Sequence, residues 1–478
     1  MNSWCWRFWL VIGLSAACWL SPSCCAGTGV IGPLPQIALA PQDRVLVLAP
    51  HPDDEVIGCG GVIQKAVAMG LPLRVVFLTY GDANEWSFLV YRKRPVVMPK
   101  AVRAMGVVRH DEAMAAASAL GVATNQLTFL GYPDFGALDI WNEHWGVRAP
   151  YRSLLTRVTA VPYASALRPG APNKGEEILR DVTTVLREFR PTKVFVSHPA
   201  DHNPEHRALY LFTCVALWDL ETEMRPEVYP YWIHINGWPG PRGFRPTAAL
   251  EPPVLYRDEI AWKTLPLSSV EIKHKRAAVE AYTSQYKSSG NYLLSFVRAN
   301  ELFGDFPPFT LQARARMAKL SPHTPAAVPQ KEPDDELTDE QRAAFVGVVT
   351  KSLELDGNHL VFTVELSKSL AAGVEASLYI FGYRADRPFP LMPKLHIQIG
   401  HVLHTIYDQG RKLSRNTMQV KRSLREITVR VPLKALGDPQ RILTSAHTHF
   451  DPALMPMDWA GLPLDWVGWR TLGLTIEH

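Results

Sequence analysis

The sequence predicts an α/β domain built on a mostly parallel sheet with helices on both faces, followed by an all-β sandwich. Three observations lead there. Apolar, strand-type runs alternate with helical patterns from about residue 43 to residue 220. Beyond residue 343 the period switches to two, in short runs separated by turns. Between the two regimes, residues 321–342 are polar and Pro-rich, the composition of a linker. The expected boundaries are a leader over 1–26, a first domain over 43–320, the linker over 321–342 and a sandwich over 343–478. A chain of 478 residues has room for both domains.

The N-terminus reads as a targeting segment. Arg7 is the only charge before Asp43, and Phe8 to Leu20 is an apolar run too short to span a bilayer comfortably. Cys24-Cys25-Ala26 before Gly27 is a small-residue cleavage pattern. The expectation is a signal peptide and a periplasmic or extracellular protein. Ser15-Ala-Ala-Cys18 and Ser21-Pro-Ser-Cys24 loosely resemble lipoprotein signals, so a lipid anchor is the competing reading. No other long apolar run occurs, and no transmembrane helix is expected in the mature chain. Four of the six cysteines fall in the leader, leaving Cys59 and Cys214, which is no disulfide framework and no thiolate metal site. The formal charge of +4 is mild and no basic stripe is concentrated anywhere, which excludes a nucleic-acid partner.

The elements follow in order. Asp43 to Ala49 is a strand, apolar nearly throughout, as a strand covered on both faces should be. Val56 to Met69 is a helix, and Leu73 to Thr79 a second strand, implying a right-handed crossover and parallel pairing. Residues 83–108 read as an aromatic and basic loop, and Arg109 to Leu120 as an Ala-rich helix. Leu127 to Leu130 is a third strand leading into Gly131-Tyr-Pro-Asp134. Residues 135–172 lack periodicity but hold Trp141, Trp145, Tyr151 and Tyr163; such a loop is expected to wall a cleft, with rings suited to sugar stacking or to local packing. Glu176 to Phe189 is a helix, Lys193 to Ser197 a fourth strand, Glu205 to Leu220 a helix, and Val270 to Tyr286 another. In the second domain Leu360–Leu366, Ala376–Gly382, His396–Ile399, Val402–Tyr407 and Glu426–Val431 are the short strands of a sandwich.

Two strand ends hold the chemistry. Val45-Leu-Val-Leu-Ala-Pro-His51-Pro-Asp-Asp-Glu55 runs from an apolar strand straight into a His and three acidic residues, with Gly58, Gly60 and Gly61 behind. The fourth strand ends in His198-Pro-Ala-Asp-His-Asn-Pro-Glu-His206. In a parallel sheet both tips face one carboxyl edge, where open α/β sheets bind ligands. Such clusters are too costly to bury unpaired. Two histidines and a carboxylate would supply the three protein ligands of a catalytic zinc with an open position. A further carboxylate, free of the metal, would move protons.

These motifs resemble those of the LmbE/PIG-L zinc-dependent N-acetylglucosamine deacetylases. Ala49-Pro-His-Pro-Asp-Asp-Glu55 looks like the first family motif, and His198 to Ala208 like an expanded form of the second. Weaker matches fall in order at Arg109-His-Asp-Glu112, Leu130-Gly-Tyr-Pro-Asp134 and Lys275 to Gln285, so the resemblance spans roughly 43–310. It implies a Rossmann-like fold, a Zn2+ cofactor and an N-acetylated sugar or glycan as substrate. It makes His51, Asp54 and His206 the metal ligands and Asp53 the general base. It asks a second-motif histidine to stabilise the oxyanion. The compact motif has that histidine where this chain has Asn203, so His198 takes the role first and His202 second, with Asp201 orienting the imidazole. His202 otherwise stands with Arg109 and Asp134 near the sugar. Each residue has a structural alternative: a helix cap for His202 or His206, a helix-surface pair for Arg109 and Glu112, a turn former for Asp134.

Two rival readings stand beside this one. A nucleotide-binding protein would use Gly58-Cys-Gly60-Gly61, but position 63 is Ile where the third glycine belongs, and the three acidic residues would repel a pyrophosphate. A catalytically inactive glycan-binding or scaffolding protein of the same fold is the other. In the C-terminal region, Val429 to Asp438 and Asp465 to Trp469 loosely resemble the closing strands of carbohydrate-binding modules.

Overall fold

β1 (Val45–Ala49) is buried at every position. The strands parallel to it are β2 (Leu73–Thr79), β3 (Leu127–Tyr132), β4 (Lys193–Ser197) and β5 (Glu227–Tyr231). β6 (Ala261–Pro266) and β7 (Asn300–Asp305) complete a seven-stranded sheet of order β3-β2-β1-β4-β5-β7-β6, with β7 antiparallel to β5 and to β6. The chain winds outward from β1 to β3, then returns to lay β4 against the other side of β1. The switch point of the sheet is therefore the β1–β4 junction, where both polar tips end.

This is a computed structural model, and it describes residues 33–83, 98–312, 345–450 and 463–475, without side chains for 463–467. The expected leader (1–26) and linker (321–342) lie outside these residues. Pro35–His478 form one compact unit.

The helices are α1 (Asp54–Ala68), α2 (Pro99–Ala119), α3 (Ala137–Glu143), α4 (Gly175–Phe189), α5 (Pro204–Asp219), α6 (Ser269–Ala281) and α7 (Thr283–Leu293). α1 and α2 pack on α6, while α3 and α4 pack on α5. Two expectations change. α2 starts ten residues before Arg109, because Pro99 suits a first helical position and Val102 and Met105 turn inward on either side of Arg103. The single helix expected over Val270–Tyr286 is two, broken at Tyr282, whose ψ of 62° is not helical. Among the described residues no helix is long and apolar enough to cross a membrane.

The second half has β8 (Phe309–Gln312), β9 (Val348–Asp356), β10 (His359–Leu366), β11 (Val374–Tyr383), β12 (Lys394–Ile399), β13 (His404–Asp408), β14 (Arg411–Lys412), β15 (Gln419–Arg422), β16 (Glu426–Pro432), β17 (Arg441–Phe450) and β18 (Pro463–Thr475). They form two sheets, β15-β16-β10-β9 and β14-β13-β12-β11-β17-β18-β8. β10 alternates buried and half-buried positions along its whole length, the period of a strand with one face in a core. Leu360, Phe362 and Val364 on that face join Leu378, Ile380 and Ile397 of the larger sheet. β8, which precedes the expected linker, pairs parallel with β18.

The sandwich is fastened to the first half by aromatic rings. Trp141 and Trp145 are fully buried, and neither has an open face for a sugar. Trp141 stacks on Phe389 at 5.5 Å and meets Trp469 edge-on at 6.0 Å, and Trp145 meets Phe389 edge-on at 5.2 Å. Burying a ring of this size contributes roughly 5 kcal/mol of transfer free energy. The Tyr383 hydroxyl donates to Asp219 Oδ1 at 3.0 Å, and Trp469 N donates to Pro199 O at 3.3 Å. Tyr163 packs locally as well, stacked on Tyr80 at 3.8 Å and donating to Asp82.

Candidate functional site

The chain leaves β1 through Pro50, His51 and Pro52, and α1 begins at Asp54. Asp53 sits at the N-cap with φ 128°, a conformation that costs a non-glycine residue on the order of 1–3 kcal/mol. Glu55 holds it there: Glu55 Oε2 accepts from Asp53 N at 3.0 Å, and Glu55 Oε1 accepts from the Tyr282 hydroxyl at the break between α6 and α7. Burial pushes the Glu55 carboxyl up to about 8. The glycines of α1 serve packing. A Cβ on Gly58 would lie 2.6 Å from the Tyr231 ring, and one on Gly61 would lie 2.1 Å from Leu267. They bring α1 down onto its neighbours and cradle no phosphate.

Three buried side chains from the two tips converge. His51 Nδ1 and His206 Nε2 each lie 3.1 Å from Asp54 Oδ2, and the two rings are 5.5 Å apart. One ligand atom from each of His51, Asp54 and His206 fits within 4.8 Å of the others. Burial works against every charge in this group, yet Asp54 is held well below the usual carboxylate range by His206 and His51. His51 is held well above the usual imidazole range by Asp134 and Asp54, and His206 is raised to about 9 by Asp201 and Asp54. Neither ring nitrogen of His206 makes a hydrogen bond of normal geometry, although both are buried. A cation would meet the Nε2 lone pair on the Asp54 side while Nδ1–H faces Asp201, so the set fits a metal, and borderline N/O donors suit zinc.

Two other triplets share these residues, Asp201/His206/His234 and His51/Asp134/Glu205. Their carboxylates are engaged elsewhere, apart from Glu205 Oε2, which is buried without a hydrogen-bond partner. Asp201 Oδ2 accepts from Ile233 N and His234 N, both at 3.0 Å, and Oδ1 accepts from Asn203 N at 2.9 Å. With Oδ2 also 3.3 Å from His206 Nδ1, Asp201 is placed to orient that imidazole. Asp134 Oδ2 accepts from Ala83 N at 3.1 Å, and its Oδ1 lies 3.1 Å from His51 Nε2, the same relation to the other ring. Glu205 Oε1 accepts from Gly136 N and Ala137 N, fixing the turn that presents Asp134.

Asp53 faces Arg109, whose Nη2 lies 3.1 Å from Asp53 Oδ2. Burial pushes the Asp53 carboxyl up to about 7, with Arg109 opposing. Arg109 is 3% exposed and donates to Gly81 O at 2.8 Å and to Pro52 O. Gly81, at φ 62°, leaves room for it: a Cβ there would lie 2.1 Å from Nη1. Arg109 is thus buried behind Asp53, its guanidinium shared between that carboxylate and the Gly81 and Pro52 carbonyls.

His198 is not brought to this group. Its ring is fully buried, stacked on Trp232 at 3.7 Å and 4.8 Å from the ring of Phe306. Its Nδ1 accepts from Ala200 N at 3.0 Å, and burial and Arg470 of the sandwich hold its pKa well below the usual imidazole range. Its Nε2 lies 3.6 Å from Asp305 Oδ1, and burial against the rings, with Arg470, outweighs the carboxylates and keeps the imidazole neutral. His202, half-buried, has Nδ1 3.1 Å from Asn236 Oδ1.

A histidine outside the expected set also lies beside His206. His234 lies beyond β5, the next strand tip on the same edge, with its ring 4.7 Å from that of His206 and edge-on to it. Burial lowers it to about 4. The signal was the sheet edge itself: the rule that reads two strand tips applies to a third. Pro226 and Pro230 disguise the strand that leads to it.

Residues 46–217 match the family described as PIG-L: GlcNAc-PI de-N-acetylase. The chain is 27% identical over 202 residues to the 1D-myo-inositol 2-acetamido-2-deoxy-alpha-D-glucopyranoside deacetylase of Rhodococcus erythropolis, covering 40% of this chain and 59% of that one. It is 29% identical over 187 residues to the similarly named deacetylase 1 of Saccharopolyspora erythraea, covering 38% and 55%. The chain therefore spans somewhat over half the length of these curated relatives. Among solved structures, the N,N'-diacetylchitobiose deacetylase of Pyrococcus horikoshii overlaps 55% of this chain and 82% of its own at 20% identity with a TM-score of 0.34, too slight a likeness to argue from.

Proposed function

We propose that the PIG-L/LmbE-family domain of this chain is a zinc-dependent N-deacetylase that removes the acetyl group from an N-acetylated sugar of the N-acetylglucosamine type. The observation that supports it most is the convergence of His51, Asp54 and His206 beside a separate carboxylate, Asp53, tethered to Arg109. Zinc held by those three residues would polarise the acetamide carbonyl and acidify a water molecule. Asp53 takes the proton of the attacking water as general base and returns it to the leaving amine as acetate departs. Its backbone, pinned by Glu55, keeps the carboxylate turned toward Arg109 and apart from Asp54. Asp201 and Asp134 fix the imidazoles of His206 and His51. His234, half-buried and neutral, donates an N–H to the developing oxyanion, the role expected of His198. The leader-like run Phe8–Leu20 supports export, and hence a cell-surface or extracellular substrate.

The test is acetate release from a panel of N-acetylated mono- and oligosaccharides, with metal content measured on the same preparation. The protein is expected to hold about one zinc, to lose activity to a chelator, and to regain it on zinc addition. His206→Ala should lose both metal and turnover. A zinc-loaded protein that releases no acetate from any acetylated sugar would refute the reading.

A further inference from the structure

Lys275 to Gln285 runs from α6 into α7, and its buried polar side chains tie into the helices that carry Asp53 and Arg109. Lys275 donates from Nζ to Ile57 O of α1 at 2.9 Å and to Glu301 Oε1 at 2.6 Å. The Glu301 carboxylate in turn accepts from Gly61 N at 2.7 Å and Val62 N at 3.2 Å, so this buried pair grips the second turn of α1. Tyr282, fully buried, donates its hydroxyl to Glu55 Oε1 in the first turn of the same helix. Ser284 donates its N and its Oγ to the two oxygens of Glu112, both at 2.7 Å, on α2 one turn beyond Arg109. The break at Tyr282 makes the last two ties compatible. In an unbroken helix, residues two apart point roughly 200° apart. With the break, both hydroxyls turn inward, one to α1 and one to α2.

These ties meet at a residue that needs holding. Asp53 is the N-cap of α1, yet its side chain caps nothing. An aspartate at that position ordinarily accepts an amide of the first turn. Here the carboxylate is turned to Arg109 instead, and the backbone stands at φ 128°. A glycine would carry that φ without strain, but it would bring no carboxylate. A strained conformation persists only where its surroundings over-determine it. Glu55 Oε2 on the Asp53 amide is the direct restraint, and Tyr282 fixes the other oxygen of that buried carboxyl. Asp54 is held separately, by the His51 amide at 2.9 Å and by the two imidazoles.

We propose that Tyr282 is a positioning residue of the reaction: its hydroxyl, delivered by the break between α6 and α7, fixes Glu55 and through it the strained backbone that presents the Asp53 carboxylate. Ser284, through Glu112, secures the helix bearing Arg109 from the same segment. The proposal rests on the deacetylase reading for the task of Asp53.

Tyr282→Phe removes the hydroxyl and keeps the ring. It should lower kcat for acetate release by about ten- to a hundredfold, the scale on which a misplacement of about 1 Å acts, with KM and zinc content unchanged. In an Asp53→Asn background the same change should cost little more, because the group it positions is gone. Equal losses in both backgrounds, an unchanged kcat, or loss of zinc along with kcat would overturn the proposal. Glu55→Gln keeps an oxygen for the Asp53 amide and should retain far more kcat than Glu55→Ala. Equal losses from those two would also reject the proposal, and the pair carries the test if Tyr282→Phe does not fold. A second arm needs no substrate. Crystal structures of wild type and Tyr282→Phe should show Asp53 leaving its φ of 128° and its carboxylate drawing away from Arg109. An unmoved Asp53 would sink the idea. A wild-type protein that releases no acetate would refute the deacetylase reading, and the crystallographic arm alone would then decide whether Tyr282 holds Asp53.

Discussion

The two strand tips that build the site are organised differently. The first is contiguous, and all its polar side chains turn inward: His51 and Asp54 to the ligand cluster, Asp53 to Arg109, Glu55 to the Asp53 amide. The second is spread over nine residues and divided between two tasks. Its C-terminal part, Asp201, Glu205 and His206, serves the site, while His198 turns away to stack on Trp232 and face the sandwich. The first tip is held by its own helix start. The second leans on the β-sandwich, since a Cβ on Gly468 would lie 2.7 Å from that of Ala200. Proximity to a motif is thus a poor guide to a residue's task when the motif is long enough to touch two surfaces.

The comparison can be broken or sharpened by substitution. Asp53→Asn tests the inward-facing tip most directly. It should keep zinc, by elemental analysis, and lower kcat by about 10² to 10⁴, the usual contribution of a positioned base; retained turnover would remove Asp53 from proton transfer. His234→Gln should lower kcat by about 10² to 10³ with metal retained, a loss typical of one oxyanion donor, and His202→Gln should cost much less. The reverse order would return the role to the second tip. His198→Phe probes the outward-facing residue. It strands the Ala200 amide and should lower stability by about 1–3 kcal/mol in denaturant titration, leaving metal content and kcat unchanged. A fall in kcat without loss of fold would show that His198 acts on substrate after all.

The smallest effect is a pH dependence of the inter-domain contact. Lys394 is buried beside Phe389 and Trp145, and burial lowers its pKa from 10.5 to about 7, against the pull of Asp408. Between those values the unfolded chain holds a proton that the folded chain lacks. Stability from this group therefore rises as pH goes from about 7 toward 10.5. Melting curves over that window should climb for wild type and flatten for Lys394→Met; identical slopes would show that the amine stays charged against the rings.

Much of this was legible in the residues, and the exceptions share a cause. The parallel strands and the sandwich declared themselves by apolar runs and by alternation, which are local properties. The first tip was legible because four consecutive polar residues after a buried strand leave little freedom. His206 and Asp201 could be placed from the shared sheet edge. The direction of His198 could not, because Trp232, Phe306 and Arg470 decide it, and the last lies more than 250 residues away in the chain. The choice between sugar stacking and packing for Trp141 and Trp145 was open in the same way: their partner Phe389 belongs to the β-sandwich. His234 was hidden by prolines that break the strand signal without breaking the strand.

The contact between Gly468 and Ala200 also sets an order of events. A polypeptide is made from its N-terminus, so both clusters of polar side chains exist long before the strand that props the second one. Until β18 is in place, the loop bearing Asp201 and leading to His206 lacks its floor. Completion of the site is then tied to the synthesis of β18, and a product cut short before that strand would carry every candidate ligand without the surface beneath the second tip.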